Sequence, residues 1–384
     1  MQLNDEFKYL IQTLQTNPAK ISYAINHTID WDLLFQLIVR HRVWHQVYAA
    51  LTSGHEEVPQ PFHDRLGQLC RQDTARTLMT AAEIKRIATA LMNESIYHCF
   101  IKGIMLNVQI YPSLASRPCK DIDLWVDLKD LTQAQFVFES LGYVQKKPSY
   151  KLEGFQKQYY LEHKRDIALY HEEKKIWVEL HFKLEYFGNL FFPPTPQITK
   201  AVTLFNCQPL TLKDDYHLLY LMLHASKHAW MRLRWLNDIV LYIKSGQCDL
   251  VQVMDLAKVI KCEHIVEQSL LLVQTNFGQN DASLSQLIQN PSKRALKLAC
   301  TAQSFIEADY ELTAEYPIYH KMFFKYRWYF AAQIPAKNKL RVVMNDFFKI
   351  DKIFPYVRFS NKCSFMYYLV YPLWILKSFV IRDS

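Results

Sequence analysis

The stretch Arg117–Val126, Arg-Pro-Cys-Lys-Asp-Ile-Asp-Leu-Trp-Val, holds the residues with the clearest chemical potential. In a β-strand, side chains alternate between faces. Asp121 and Asp123 then share one face, while Ile122 and Leu124 point to the other. Carboxylates this close raise each other's pKa, so they call for a cation. Oxygen ligands from such positions suit a hard ion such as Mg²⁺. A second segment, Ile176–Phe182, also reads as a strand. Val178, Leu180 and Phe182 form its apolar face, with Trp177, Glu179 and His181 opposite. If the two strands are neighbours, Glu179 joins the aspartates. Three carboxylates around one or two Mg²⁺ ions suit phosphoryl and nucleotidyl transfer: the ions bind the nucleotide phosphates, activate an attacking hydroxyl and absorb charge on leaving pyrophosphate.

These segments, with two more, carry a family resemblance. The chain reads Ile101-Lys102-Gly103, then Arg117-Pro118-Cys119-Lys120-Asp121-Ile122-Asp123-Leu124-Trp125-Val126, then Val178-Glu179-Leu180-His181-Phe182. A helical stretch from His224 to Asp238 follows, with Lys227, His228, Trp230, Arg232, Arg234 and Trp235 in it. The ordered set resembles the DNA polymerase β-type nucleotidyltransferase superfamily. More narrowly, it resembles a bacterial group of uncharacterised nucleotidyltransferases with the patterns Leu-Lys-Gly, Arg-Pro-x-x-Asp-Ile-Asp-Leu-x-Val and Val-Glu-Leu-His-Trp. The resemblance implies Asp121, Asp123 and Glu179 as catalytic metal ligands. It implies Lys102 and Gly103 as a turn cradling the triphosphate, where the superfamily usually has Gly-Ser. Arg117, His181, His224, Lys227, Arg234 and Asp238 are the further nucleotide-side candidates. A zinc reading of His224 and His228, at i and i+4, is disfavoured because no third ligand stands near in the sequence.

Composition narrows the classes. Glycine is scarce, 8 residues in 384, against an average near 7%. Neither Gly-x-Gly-x-x-Gly nor Gly-x-x-x-x-Gly-Lys-Ser/Thr occurs, which argues against Rossmann and P-loop sites. The net charge of +8 suits a polyanionic ligand without selecting one. The eight cysteines show no Cys-x-x-Cys pair or zinc spacing. The first residues do not read as a signal peptide, and reduced thiols point to a cytoplasmic protein. No Ser-His-Asp or Cys-His order is recognisable.

The elements that must position these groups fall into three stretches: an N-terminal helical lobe over 1–94, a catalytic α+β lobe over 95–200, and a C-terminal helical lobe over 201–384. The first contains a helix capped by Asp30 and a long helix from Asp64 to Glu94. His41-Arg42-Val43-Trp44 reads as a solvated basic patch at a helix end, with a phosphate contact as the alternative. In the catalytic lobe, strands are expected at Asp121–Asp127, Tyr143–Lys146, Lys157–Glu162, Asp166–His171 and Ile176–Phe182. Helix Leu131–Leu141 ends at Gly142. Pro193-Pro194-Thr195-Pro196 reads as a linker. Helices return at Asp214 and at Trp230–Lys244, with Trp230 and Trp235 as core residues. The apolar, aromatic segment Phe365–Ile381 is shorter than the ~20 apolar residues of a spanning helix, so it reads as a docked terminal segment.

The expectation is an α+β protein with a polymerase β-like mixed sheet flanked by helical lobes. It would act as a Mg²⁺-dependent nucleotidyltransferase, with two ions and ATP as the default nucleotide. The acceptor is open: a small molecule, peptide, protein or RNA, with no DNA expected. The alternative is an inactive scaffold on the same fold, meeting a membrane surface through its C-terminal aromatic segment.

Overall fold

The computed structural model describes residues 5–15, 29–53, 58–186, 189–190, 192, 194–278, 282–308, 321–336, 338–340, 342 and 348–380. Pro193, within the expected linker, lies outside them. The chain is a mixed α+β protein. Helices α1 (Asp5–Leu14), α2 (Trp31–His41), α3 (Trp44–Ser53) and α4 (Gln60–Asn93) come first. A central stretch follows with β1 (His98–Ile101), α5 (Gly103–Ile110), β2 (Asp121–Val126), α6 (Leu131–Ser140), β3 (Val144–Lys147) and α7 (Gly154–His163). Strands β4 (Asp166–His171) and β5 (Ile176–His181) complete its sheet. Two small hairpins follow, β6 (Glu185–Tyr186) with β7 (Asn189–Leu190), and β8 (Thr199–Ala201) with β9 (Leu210–Leu212). Helices α8 (Asp214–Lys227), α9 (Leu233–Ser245), α10 (Leu250–Val259), α11 (Glu263–Phe277), α12 (Ala282–Leu287), α13 (Lys293–Ile306) and α14 (Lys321–Gln333) come next, and α15 (Met366–Val380) is last.

The five-stranded sheet has the order β1-β2-β5-β4-β3. Strands β2 and β5 run parallel, and the other pairings are antiparallel. Period-two alternation sorts the side chains. Ile122, Leu124 and Val126 of β2 and Ile176, Val178 and Leu180 of β5 enter one core with Ile84, Ile87 and Leu91 of α4 and Phe138 of α6. Trp125, on the other face of β2, belongs to a second core. That core joins Leu10, Leu34 and Leu37 from the first helices to Leu218, Leu236 and Ile265 from α8, α9 and α11. Burial of a Leu or Phe side chain is worth about 1.5–3 kcal/mol, so the helices from the two ends of the chain hold each other in place over one face of the sheet.

Capping follows local chemistry. Asp30 accepts from the backbone N–H groups of Asp32 and Leu33 at the start of α2. Gly142 takes φ +85 after α6. Two sequence expectations are corrected. Residues 157–162 are helical, inside α7, and not a strand. Gln156, Tyr159 and Tyr160 are the buried positions, a three-and-four spacing that fits a helix with one buried stripe. His41 is fully buried and not solvated: its Nδ1 accepts the N–H of Leu233 at 3.1 Å. The C-terminal aromatic segment is docked through residues 367–375, and Ile381, at its expected end, lies outside the described residues. Tyr367 and Tyr371 of α15 pack with Tyr159, Ile353 and Phe354, and Gln156 Nε2 donates to Tyr367 Oη at 3.1 Å. Among the described residues no helix is long and apolar enough to cross a membrane.

Candidate active site

The parallel pairing of β2 with β5 puts Asp123 opposite Glu179, and Trp125 opposite His181. Their acid-bearing face opens into a cavity of about 490 Å³, within the roughly 300–1,000 Å³ of small-molecule sites. Asp121, Asp123, Glu179 and His181 lie along one side of it. Ligand atoms of Asp123, Glu179 and His181 all fall within 4.8 Å of one another. His181 Nε2 stands 3.2 Å from Asp123 Oδ1 and 3.5 Å from Glu179 Oε2. Two carboxylates and an imidazole at this spacing are a donor set for a divalent cation. Asp121 lines the same cavity. Burial, and then the charge of Asp123, raises its pKa. Hydrogen bonding to His181 holds Glu179 down at about 2 against the cost of burial. Burial opposes a charged His181, but its bonds to Asp123 and Glu179 outweigh that and raise its pKa.

Lys102 and Gly103 form the turn from β1 into α5. Lys102 sits at φ 60, ψ −152, a region that is essentially reserved for glycine and costs about 1–3 kcal/mol. The strain is matched by what the geometry places. Lys102 Nζ reaches Asp123 Oδ1 at 2.7 Å, and the Lys102 N–H donates to His217 Nε2 at 3.3 Å. Gly103 has φ +49, and a Cβ there would stand 3.0 Å from Cys119 Sγ. Glycine therefore lets α5 close onto the loop that enters β2.

Helices α8 and α9 form the opposite wall. Their connection passes through two left-handed residues, Ala229 at φ 51 and Trp230 at φ 57. Trp230 is fully buried, so packing fixes a turn that the local backbone disfavours. His224, Lys227 and His228 reach the cavity from α8, with Arg234 and Trp235 from α9. The two imidazole rings lie 4.7 Å apart, and His228 stacks on Trp235 at 5.5 Å. Burial lowers His224 well below the ordinary value and His228 to about 3, so both are neutral near pH 7. Burial, followed by the charge of Arg165, brings Lys227 down to about 7.

Arg117 lines the cavity, but its guanidinium is engaged elsewhere. It holds Asp238 through Nε–Oδ1 at 2.8 Å and Nη2–Oδ2 at 2.9 Å. Tyr111 Oη donates to the same carboxylate at 2.6 Å. Asp238 is fully buried behind the wall. The pair therefore pins α9 to the entry of β2. Arg42, read from the sequence as part of a solvated patch, lines the cavity from the C-cap of α2 at φ 56. Arg165 and Lys183, which sequence reasoning did not single out, line it from the same end of the β4–β5 pair, one just before β4 and the other just after β5. No local pattern marks these three; only the fold gathers them.

A family model described as an uncharacterised nucleotidyltransferase matches residues 27–278, more than half of the chain. The chain belongs to this nucleotidyltransferase family. The matched segment contains every residue of the acid cluster, the Lys102–Gly103 turn and the α8–α9 wall, so the nucleotidyltransferase match and the cavity coincide. Comparison with curated proteins finds no match.

Proposed function

We propose that the protein transfers a nucleoside monophosphate from an NTP, ATP by default, to an acceptor hydroxyl, with Mg²⁺ at Asp123 and Glu179. The observation that carries the reading is the placement of Asp123 beside Glu179 and His181 in a cavity that nine cationic side chains also line. The residues fit a divalent ion. Two carboxylates and a nitrogen converge, and Lys102 Nζ already stands against the Asp123 oxygen as a positive charge. A bound divalent ion would neutralise charge on the triphosphate and polarise the acceptor hydroxyl.

The chain's own groups then have distinct tasks. Lys102, Lys227 and Arg165 hold phosphate oxygens near the acids, and Gly103 permits close backbone approach. The neutral wall of His224, His228 and Trp235 accommodates the base. The acceptor oxygen attacks the α-phosphorus, the bond to the β-phosphate bridging oxygen breaks, and pyrophosphate leaves. Glu179, kept ionised by His181, accepts a hydrogen bond from the attacking hydroxyl, whose proton passes to solvent. Asp121, on the same face as Asp123, completes the acidic surface. Arg117 and Asp238 act at a distance by fixing α9.

Isothermal titration of the protein with ATP, GTP, CTP and UTP tests this. Binding of one triphosphate that requires Mg²⁺ and is lost in Asp123→Asn is expected. Absence of metal-dependent binding of all four would refute it.

A further inference from the structure

Cationic side chains outnumber acidic ones in the cavity lining. Nine cationic side chains line it against four acidic ones, and Arg117 is paired with a carboxylate outside the lining, Asp238. The cations also fall into two groups. Lys102 and Lys227 act on Glu179 and Lys102 bonds Asp123, so they serve the end of the cavity where the acids converge. Arg42, Lys120, Arg232 and Arg234 form a second cluster, of which Arg234 also acts on Asp121. They arrive from three places in the chain: the C-cap of α2, the loop before β2, and the start of α9.

The second cluster is built under mutual repulsion. All four line the one cavity as like charges. Burial, then Arg117, Arg42 and Arg232, act against the charge of Arg234. Asp238 opposes them but already holds Arg117 in a two-point bond. Arg234 is only 9% exposed. Its Nη1 donates to Pro118 O at 3.2 Å, while its buried Nε has no acceptor among the described residues. A buried charged donor left unmet is costly, and an anion held in the cavity beside Arg234 offsets that cost through charge-assisted bonds to the guanidinium.

Resting on the nucleotidyl-transfer reading, we propose that Arg42, Lys120, Arg232 and Arg234 form an anion subsite for the acceptor, which therefore carries a phosphate or carboxylate group. The acceptor is a small molecule or presents a slender end, because it shares a 490 Å³ cavity with the nucleotide. Its anion anchors at Arg234, and its hydroxyl faces the acids across the cavity. A neutral hydroxyl compound of the same shape lacks this anchor and is a poor acceptor.

The test uses inorganic phosphate as the probe of the subsite. The full chain is saturated with Mg²⁺ and an α,β-methylene NTP analogue, which cannot transfer, and titrated with phosphate. Phosphate is expected to bind with the analogue in place. Arg234→Gln should weaken phosphate by about tenfold or more while the analogue's affinity stays within about threefold. Arg42→Gln, at a half-buried helix end, should do the same and keeps the proposal testable if Arg234→Gln does not fold. Competition between phosphate and analogue for one site, with both weakened equally by the substitutions, would overturn the proposal and assign these arginines to the nucleotide's own phosphates. So would failure of phosphate to bind the loaded protein. Phosphate binding without any Mg²⁺-dependent analogue binding would instead overturn the transfer reading, and the acceptor assignment with it.

Discussion

Asp123 and Glu179 face each other across the parallel pair β2–β5, side by side in the sheet though far apart in the chain. Because the side-chain period is two, a slip of one residue would turn Glu179 into the core and Val178 into the cavity. Two carboxylates held this near repel, so a divalent cation that enters between them stabilises the folded chain. At a metal concentration 100 times its dissociation constant, the gain is about 2.7 kcal/mol. Thermal unfolding with Mg²⁺ or Mn²⁺ should show a raised midpoint in the wild type. The shift should vanish in Asp123→Asn with Glu179→Gln; an undiminished shift would place the ion elsewhere.

The backbone at Lys102 gives a second prediction. Lys102→Ala and Lys102→Gly both remove the ion pair with Asp123. They differ in tolerance of φ 60, ψ −152. The glycine variant should therefore be the more stable by about 1–2 kcal/mol, measured by urea denaturation. Equal stabilities would mean that the turn relaxes without cost. Neither variant should retain wild-type triphosphate affinity.

Arg117 and Asp238 give a third. The pair is buried, two-pointed and shared with Tyr111. Asp238→Ala leaves an uncompensated guanidinium in the core and should cost about 3–5 kcal/mol. Replacing both partners together, Arg117→Met with Asp238→Leu, should recover a large part of that loss. If the double variant is as unstable as the single one, the pair's value lies in something other than charge compensation. Full recovery of stability with restored triphosphate binding would show that Arg117 acts only by fixing α9.

Much of this site could be read from the chain. The period-two pattern in Asp121–Val126 and Ile176–His181 identifies the acid face because one side of each strand must enter a core. His181 follows from the same pattern, since it sits two residues beyond Glu179. Asp30 as a cap is local chemistry and was legible for that reason. Lys157–Glu162 misleads because its Tyr159-Tyr160 pair favours a strand by propensity, while its burial is set by packing of α7 against residues 350–367. The Arg117–Asp238 bond spans 121 residues, and no local spacing announces it. Arg42 looks solvated until α9 is folded over it, and His41 looks titratable until Leu233 is seen to donate to it.

His217 and His264 are among the buried histidines outside the acid cluster that contribute a pH dependence of stability. Burial lowers His217 to about 3 and His264 to about 4. His217 binds Gln109 Oε1 through Nδ1 at 2.7 Å and accepts from Lys102 N. Each is neutral when folded but protonates near pH 6.5 when unfolded. The unfolded state then binds more protons, so stability rises with pH across the window. It is complete above about pH 6.5 and is lost on acidification toward about pH 4 for His264 and about pH 3 for His217, at about 1.4 kcal/mol per pH unit for each group. Denaturation midpoints between pH 7 and pH 4.5 should fall accordingly. His264→Gln should show a slope shallower by one proton; an unchanged slope would mean that His264 titrates normally in the fold.

The central claim is that Asp123 and Glu179 carry nucleotidyl transfer. The most direct measurement incubates the full chain with Mg²⁺, each α-³²P-labelled NTP and a cell extract as the source of acceptor, and follows both labelled product and pyrophosphate. Transfer of label with matching pyrophosphate release, absent in Asp123→Asn and restored by no other divalent ion in that variant, is the predicted result. Transfer by Asp123→Asn at the wild-type rate would contradict it.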